Sequence, residues 1–106
     1  MFHDEIRQGD ILWATGRAGR RPYLVVTRSG AIPVLTAVVV APITRTIRRL
    51  PQCIPLSVED GMPTDCVATF DSLTVFDPLL FDERITHLPT ERLHEICDAL
   101  CAIADC

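Results

Sequence analysis

Apolar residues fall in short blocks along this chain, each closed by glycine, proline or a polar cluster, and only the last block repeats at helical spacing. Asp10-Ile11-Leu12-Trp13-Ala14-Thr15 reads as a first strand. Gly16-Arg17-Ala18-Gly19-Arg20, with two glycines and two arginines, reads as a flexible loop. The second strand runs from Pro22 to Thr27, since a proline is tolerated where a strand starts. After a turn at Arg28-Ser29-Gly30, Val34 to Pro42 is an unbroken apolar run, the pattern of a strand buried on both faces. Gln52 to Ser57 alternates weakly behind Pro51, and Glu59-Asp60-Gly61-Met62-Pro63 is a turn. Cys66 to Val75, rich in Val, Thr and Phe, reads as one strand, Asp77 to Phe81 as a helical turn, and Arg84 to Leu88 as a short strand.

The segment from Pro89 to Ala104 carries a different period. Leu93, Ile96, Cys97, Leu100, Ile103 and Ala104 recur at three- and four-residue spacing and form one apolar stripe. Pro89 suits a first helical position, and Glu91 suits the positive end of the helix dipole. Leu88 before it has no side-chain acceptor, so the cap is empty, at a cost on the order of 1 kcal/mol. Several short strands followed by one helix predict an α+β fold: a small, strongly bent antiparallel barrel with a C-terminal helix. No linker, repeat or low-complexity segment divides the chain, so one domain is expected over residues 1–106.

Composition narrows the class. Apolar residues make up 48% of the 106, enough for a packed core. The opening Met1-Phe2-His3-Asp4-Glu5 is not a basic region leading into an apolar run, and the longest apolar stretch, residues 37–43, is too short to span a bilayer. A soluble, cytoplasmic protein is the expectation. The net charge of −4 argues against nucleic acid until it is mapped. Residues 1–53 hold eight arginines and three acids, a balance of +5, and residues 54–106 hold two arginines and eleven acids, a balance of −9. A basic half on an acidic protein permits a local anion-binding face, although a merely solvated surface has the same composition. The chain has no lysine, so every positive side chain is a forked, permanently charged guanidinium.

The arginines concentrate at strand ends. Arg21 stands before Pro22-Tyr23-Leu24-Val25-Val26, and Val38-Val39-Val40-Ala41-Pro42-Ile43 leads into Thr44-Arg45-Thr46-Ile47-Arg48-Arg49. Charge, forked donors and hydroxyls on a rigid apolar platform suit a phosphodiester, which points to RNA backbone chemistry.

These residues and their order carry a resemblance. Gln8-Gly9-Asp10-Ile11-Leu12-Trp13, Arg21-Pro22-Tyr23-Leu24-Val25-Val26 and Val39-Val40-Ala41-Pro42-Ile43-Thr44 resemble successive motifs of the MazF/PemK toxins of bacterial toxin–antitoxin systems. Leu50-Pro51, Gly61-Met62-Pro63-Thr64-Asp65-Cys66-Val67, Phe70-Asp71 and Arg84-Ile85-Thr86-His87-Leu88 continue the set in family order. The resemblance implies an SH3-like barrel that forms a homodimer, and a metal-independent endoribonuclease that cuts single-stranded RNA at a short sequence. It also implies a cognate antitoxin that wraps the toxin and blocks its groove. Arg21 and Thr44 stand where the family has its catalytic arginine and threonine. Arg21 suits transition-state charge stabilisation better than proton abstraction, because a guanidinium is a poor base. Thr44 can hydrogen-bond a phosphate oxygen. Arg45, Thr46, Arg48 and Arg49 follow as RNA-backbone contacts, with Arg17 and Arg20 in the preceding loop. Asp71 and Ser72 stand where the family often has Asp-Gln; Asp71 can accept from a base or a 2′-hydroxyl, or pair structurally with an arginine. Trp13 or Tyr23 can stack a base, with core packing the stronger expectation for Trp13.

The first loop departs from the family, which has a longer segment there with a Gly-Ser-Glu-Gln stretch. Only residues 16–20 separate Thr15 from Arg21, so cleavage specificity does not carry over. His94, Cys97 and Cys101 share a helix face and invite a zinc reading. Cys97 belongs to the apolar stripe and no fourth ligand is evident, so neither metal nor cofactor is expected. Five cysteines, an odd number without Cys-x-x-Cys spacing, do not make a disulfide framework. His3 and His87 are the other groups capable of acid–base work. Two further functions fit the same barrel. A gyrase poison like CcdB would need a tryptophan-containing C-terminal tail, and Ala102-Ile103-Ala104-Asp105-Cys106 has no aromatic residue. A plain RNA-binding barrel would use Arg21 and Thr44 as contacts only.

Overall fold

The computed structural model describes residues 6–17, 19–29 and 37–104. Seven strands appear among them: β1 (Asp10–Gly16), β2 (Gly19–Val25), β3 (Val38–Thr44), β4 (Cys53–Leu56), β5 (Cys66–Thr69), β6 (Thr74–Phe76) and β7 (Phe81–His87). One α-helix, α1 (His94–Ile103), follows them. All pairings are antiparallel, and the strands run in the order β4-β5-β3-β2-β1-β7, with β6 paired to β3 beside that path. The result is an antiparallel sheet with one C-terminal helix, and β4 and β7 end the path without pairing to each other.

The expected loop at residues 16–20 is a tight hairpin instead. Gly16 pairs with Gly19, so Gly16, Gly19 and Arg20 belong to strands and Arg17 stands in the turn, beside Ala18, which lies outside the described residues. Gly19 makes this turn possible with φ +99°, a left-handed conformation that costs glycine no Cβ clash.

Side chains alternate across a strand, and here both faces are covered. Ile11, Leu24 and Ala41 join one core with Ile43, Ile54, Leu56, Ala68 and Phe70, and α1 adds Ile96 and Ala99 to it. Leu12, Tyr23, Val25 and Val40 face the other way, into a second core with Ile6, Ala14, Val38 and Phe81. That is why the sequence reads as unbroken apolar runs. The expected strand from Val34 is described only from residue 37 onward; residues 34–36 lie outside the described residues.

The two halves of β3 have different neighbours. Val38 to Val40 pair with β6, and Ile43 and Thr44 pair with β5. The single strand expected from Cys66 to Val75 is therefore broken. Thr69 Oγ1 accepts from the Asp71 amide at 3.4 Å, capping a 3-10 turn over Phe70–Ser72 that lowers Phe70 into the core. The chain then crosses from the β4 side to the edge of β3.

The helix also begins later than its pattern suggests. Thr90–Arg92 forms a 3-10 turn capped at Pro89, and α1 is capped at Leu93 rather than Leu88, with no side-chain cap at either position. Ile96 and Ala99 are buried, with Leu93 and Leu100 packed beside them. Complete burial of an isoleucine such as Ile96 contributes about 1.5–3 kcal/mol. Cys97, Ile103 and Ala104 are exposed, contrary to the expected stripe, because the helix docks on the 93–96–100 line and those three turn away from it. No described helix is long and apolar enough to cross a membrane.

Candidate functional site

The register of β2 on β3 runs Val25↔Val40, Leu24↔Ala41 and Tyr23↔Pro42. The ladder ends there, and Arg21 and Thr44 each stand two residues beyond its last pair. Arg21 is exposed and Thr44 half-buried at the end of β3. Thr44 Oγ1 accepts from the Thr46 amide at 3.2 Å, which turns the chain after β3 and leaves the hydroxyl proton free to be donated.

Both residues line one open cavity of about 670 Å³. β1 and β2 contribute Trp13, Arg20, Arg21 and Pro22, and the end of β3 contributes Ile43, Thr44, Arg45 and Thr46. The opposite wall is Met62, Pro63, Thr64 and Cys66. Gly61 makes that wall possible. Its φ of +98° ends the 3-10 turn at Val58–Asp60, and the Thr86 hydroxyl donates to the Asp60 carbonyl beneath it at 2.9 Å.

Three arginines and three threonines line the cavity, with no carboxylate among the described residues of its lining. Such a surface stabilises anions. Its thiol is inert by comparison. Burial, then the charges of Asp65 and Asp60, push Cys66 up, so it stays a neutral thiol at physiological pH.

Trp13, expected in the core, belongs to neither core and lies half-buried in the cavity wall. It stands opposite Pro22 and Glu83, too near the edge of the sheet for either core to enclose it. Arg20 Cζ sits 4.5 Å over its ring. The same guanidinium donates from Nη2 to Asp82 at 2.9 Å and Glu83 at 3.1 Å, and from Nε to Asp82 at 3.3 Å. The hydrogen bond to Asp82 is the main reason the Arg20 guanidinium is held even more firmly protonated than usual.

A family model described as "PemK-like, MazF-like toxin of type II toxin-antitoxin system" matches residues 7–104. The chain belongs to that toxin family. It is 40% identical over 102 residues to "Probable endoribonuclease MazF2" of Mycobacterium tuberculosis, spanning 95% of this chain and 100% of the relative. Among solved structures, the M. tuberculosis toxin MazF-mt6 superposes with a TM-score of 0.79 at 28% identity, covering 87% of this chain and 92% of its own. A mycobacterial endoribonuclease in complex with its cognate antitoxin shares the fold, with a TM-score of 0.79 at 19% identity and 91% of each chain covered.

Of the site residues read from this family's pattern, Arg20, Arg21, Thr44, Arg45 and Thr46 meet in the cavity. Arg17 stands at the hairpin turn, and Arg48 and Arg49 lie exposed beyond Thr46; none of the three lines the cavity. Asp71 and Ser72 lie outside it as well, on the turn after β5, where Gln52 Nε2 donates to the Asp71 carboxylate at 3.2 Å. His87 is also elsewhere: its Nδ1 donates to the wholly buried carboxylate of Asp10 at 2.6 Å. His3 lies outside the described residues. Met62, Pro63, Thr64 and Cys66 carry the family motif, but nothing in that motif marks them as site residues. Among the described residues, no three His, Cys, Asp or Glu side chains are grouped to hold a metal ion.

Proposed function

We propose that this toxin is an endoribonuclease that cuts single-stranded RNA without a metal, using the RNA's own 2′-hydroxyl. The meeting of Arg21 and Thr44 in one carboxylate-free, arginine-lined cavity carries the reading. The 2′-oxygen attacks phosphorus as its proton leaves, the P–O5′ bond breaks, and the 5′-oxygen takes up a proton from water. The products are a 2′,3′-cyclic phosphate and a 5′-hydroxyl. Arg21 stabilises the charge that builds on the non-bridging oxygens, and Thr44 donates its hydroxyl proton to one of them. No described lining residue is a ready base, since Cys66 is held as a thiol, so water or hydroxide accepts the 2′-proton. Arg45 and Thr46 hold the flanking backbone, with Arg17, Arg48 and Arg49 reached by longer RNA. Asp71 and Ser72, bonded or exposed away from the cavity, would meet RNA only beyond the cleavage site.

The accompanying reading is a single domain over residues 1–106, a cytoplasmic homodimer whose bent sheet is a small SH3-like barrel. A cognate antitoxin neutralises it by covering the cavity, and RNA cutting halts translation and growth. The test is incubation of the purified protein with a long RNA in EDTA, followed by mapping of the ends. Defined cuts with 5′-hydroxyl ends, lost in Arg21→Ala, are expected. RNA left intact in several sequence contexts would overturn the reading.

A further inference from the structure

Arg20 is oriented unlike a phosphate clamp. Its Nε and Nη2 are engaged by Asp82 and Glu83, the donors a clamp would turn toward an anion, while the guanidinium lies over the Trp13 ring. The tight Gly16–Gly19 hairpin exposes this pair, because no long β1–β2 segment folds over it. Arg20 keeps a side-chain exposure of 46%, and both residues line the cavity that holds Arg21 and Thr44. Guanidinium planes and indole rings are surfaces on which unpaired bases stack.

We infer that Trp13 and Arg20 together form the stacking platform for one unpaired base of the RNA. Asp82 and Glu83 are positioning residues that keep Arg20 on the ring and away from phosphate. Arg20 directly precedes Arg21 in β2 and Trp13 pairs with Pro22 just after it, so the base the platform grips belongs to a nucleotide flanking the cut. It takes the specificity role left vacant by the short hairpin. The inference rests on the RNA reading of the cavity.

The single tryptophan of the chain reports on this site directly. Four 2′-O-methyl homopolymer octamers, uncleavable because the nucleophile is blocked, are titrated against Trp13 fluorescence. An abasic octamer of equal charge serves as the comparison, and anisotropy records binding of all five. At least one base-bearing strand should change the fluorescence saturably while the abasic strand does not. Arg20→Gln should weaken that strand several-fold. Trp13→Ala should weaken it about tenfold, the scale of one lost base stack, with Trp13→Phe intermediate. Asp82→Asn with Glu83→Gln frees Arg20 for phosphate. Abasic-strand binding should then gain a log–log salt slope of about 0.7, one added contact, and the fluorescence change should shrink. Strands that bind without altering Trp13 fluorescence, or an abasic strand that alters it equally, overturn the platform alone. Absence of both binding and cleavage overturns the RNA reading with it.

Discussion

Arg92 reaches Asp60 across the gap between the C-terminal segment and the turn before the cavity wall, Nη1 to Oδ1 at 2.8 Å. The same guanidinium donates to the Pro55 carbonyl of β4 and grips Glu95 from Nε and Nη2 at 2.7 and 2.8 Å. One side chain thus ties the helix entrance, β4 and the 58–60 turn together. Arg92→Ala should destabilise the fold by about 1–2 kcal/mol, the low end for so many bonds because water still screens them. Chemical denaturation would measure it, and an unchanged midpoint would remove Arg92 from this role.

The Arg92–Glu95 pair makes stability depend on acid. The hydrogen bond from Arg92 holds the Glu95 carboxyl below its ordinary range. Its folded pKa lies under the unfolded value of about 4.3, so the gain is full above that pH and disappears as pH falls through the folded value. Melting curves between pH 6 and pH 3 should show Glu95→Gln losing less stability than the wild type. Parallel curves would refute the coupling.

Asp10 is the only buried charged residue among those described, and it accepts from the Arg7 amide at 2.9 Å, Arg84 Nη2 at 3.2 Å and His87 Nδ1 at 2.6 Å. Asp10→Ala leaves these donors facing a hole and should cost about 3–5 kcal/mol, with Asp10→Asn milder. Equilibrium unfolding measures the difference. A loss below 1 kcal/mol for Asp10→Ala would mean that the carboxylate is dispensable.

Gly61 tolerates no side chain. A Cβ there would stand 2.7 Å from Thr86 Oγ1 and 2.9 Å from Thr86 Cβ, on a backbone at φ +98°. Gly61→Ala should cost about 2 kcal/mol, lowering the melting temperature by roughly 8–16 °C. RNA cleavage should fall with it even at temperatures where the protein stays folded, because Met62 to Thr64 line the cavity. Wild-type melting and cleavage would contradict this.

Arg21→Ala should lower the cleavage rate by about 10²–10³-fold, the scale of one lost charge-stabilising donor. Thr44→Ala should lose about tenfold, and Thr44→Ser should recover most of it, since only the hydroxyl is used. With hydroxide as the proton acceptor, the wild-type rate should climb with pH between 6 and 9. Single-turnover cleavage of a labelled RNA measures all three. A flat pH profile would rule hydroxide out as the acceptor.

Local pattern in the chain was enough to place most strands and the C-terminal helix, because apolar periodicity and turn residues act over a few neighbours. The ordered motifs likewise pointed to Arg21 and Thr44. The break at Phe70–Ser72 was not legible, because Thr69 and Phe70 suit a strand by propensity and only the change of partner on β3 favours a turn. Cys97 and Trp13 failed for a related reason: an apolar residue type does not say which line of a helix docks or how far a sheet extends over a ring. Sequence by itself determined most of the strands, the C-terminal helix and the family. Tertiary structure alone decided that Met62, Pro63, Thr64 and Cys66 wall the cavity, that Asp71 pairs with Gln52 outside it, and that Arg20 spends its donors on Asp82 and Glu83. Those contacts join residues from 19 to 63 positions apart, and no local pattern encodes a partner at that distance.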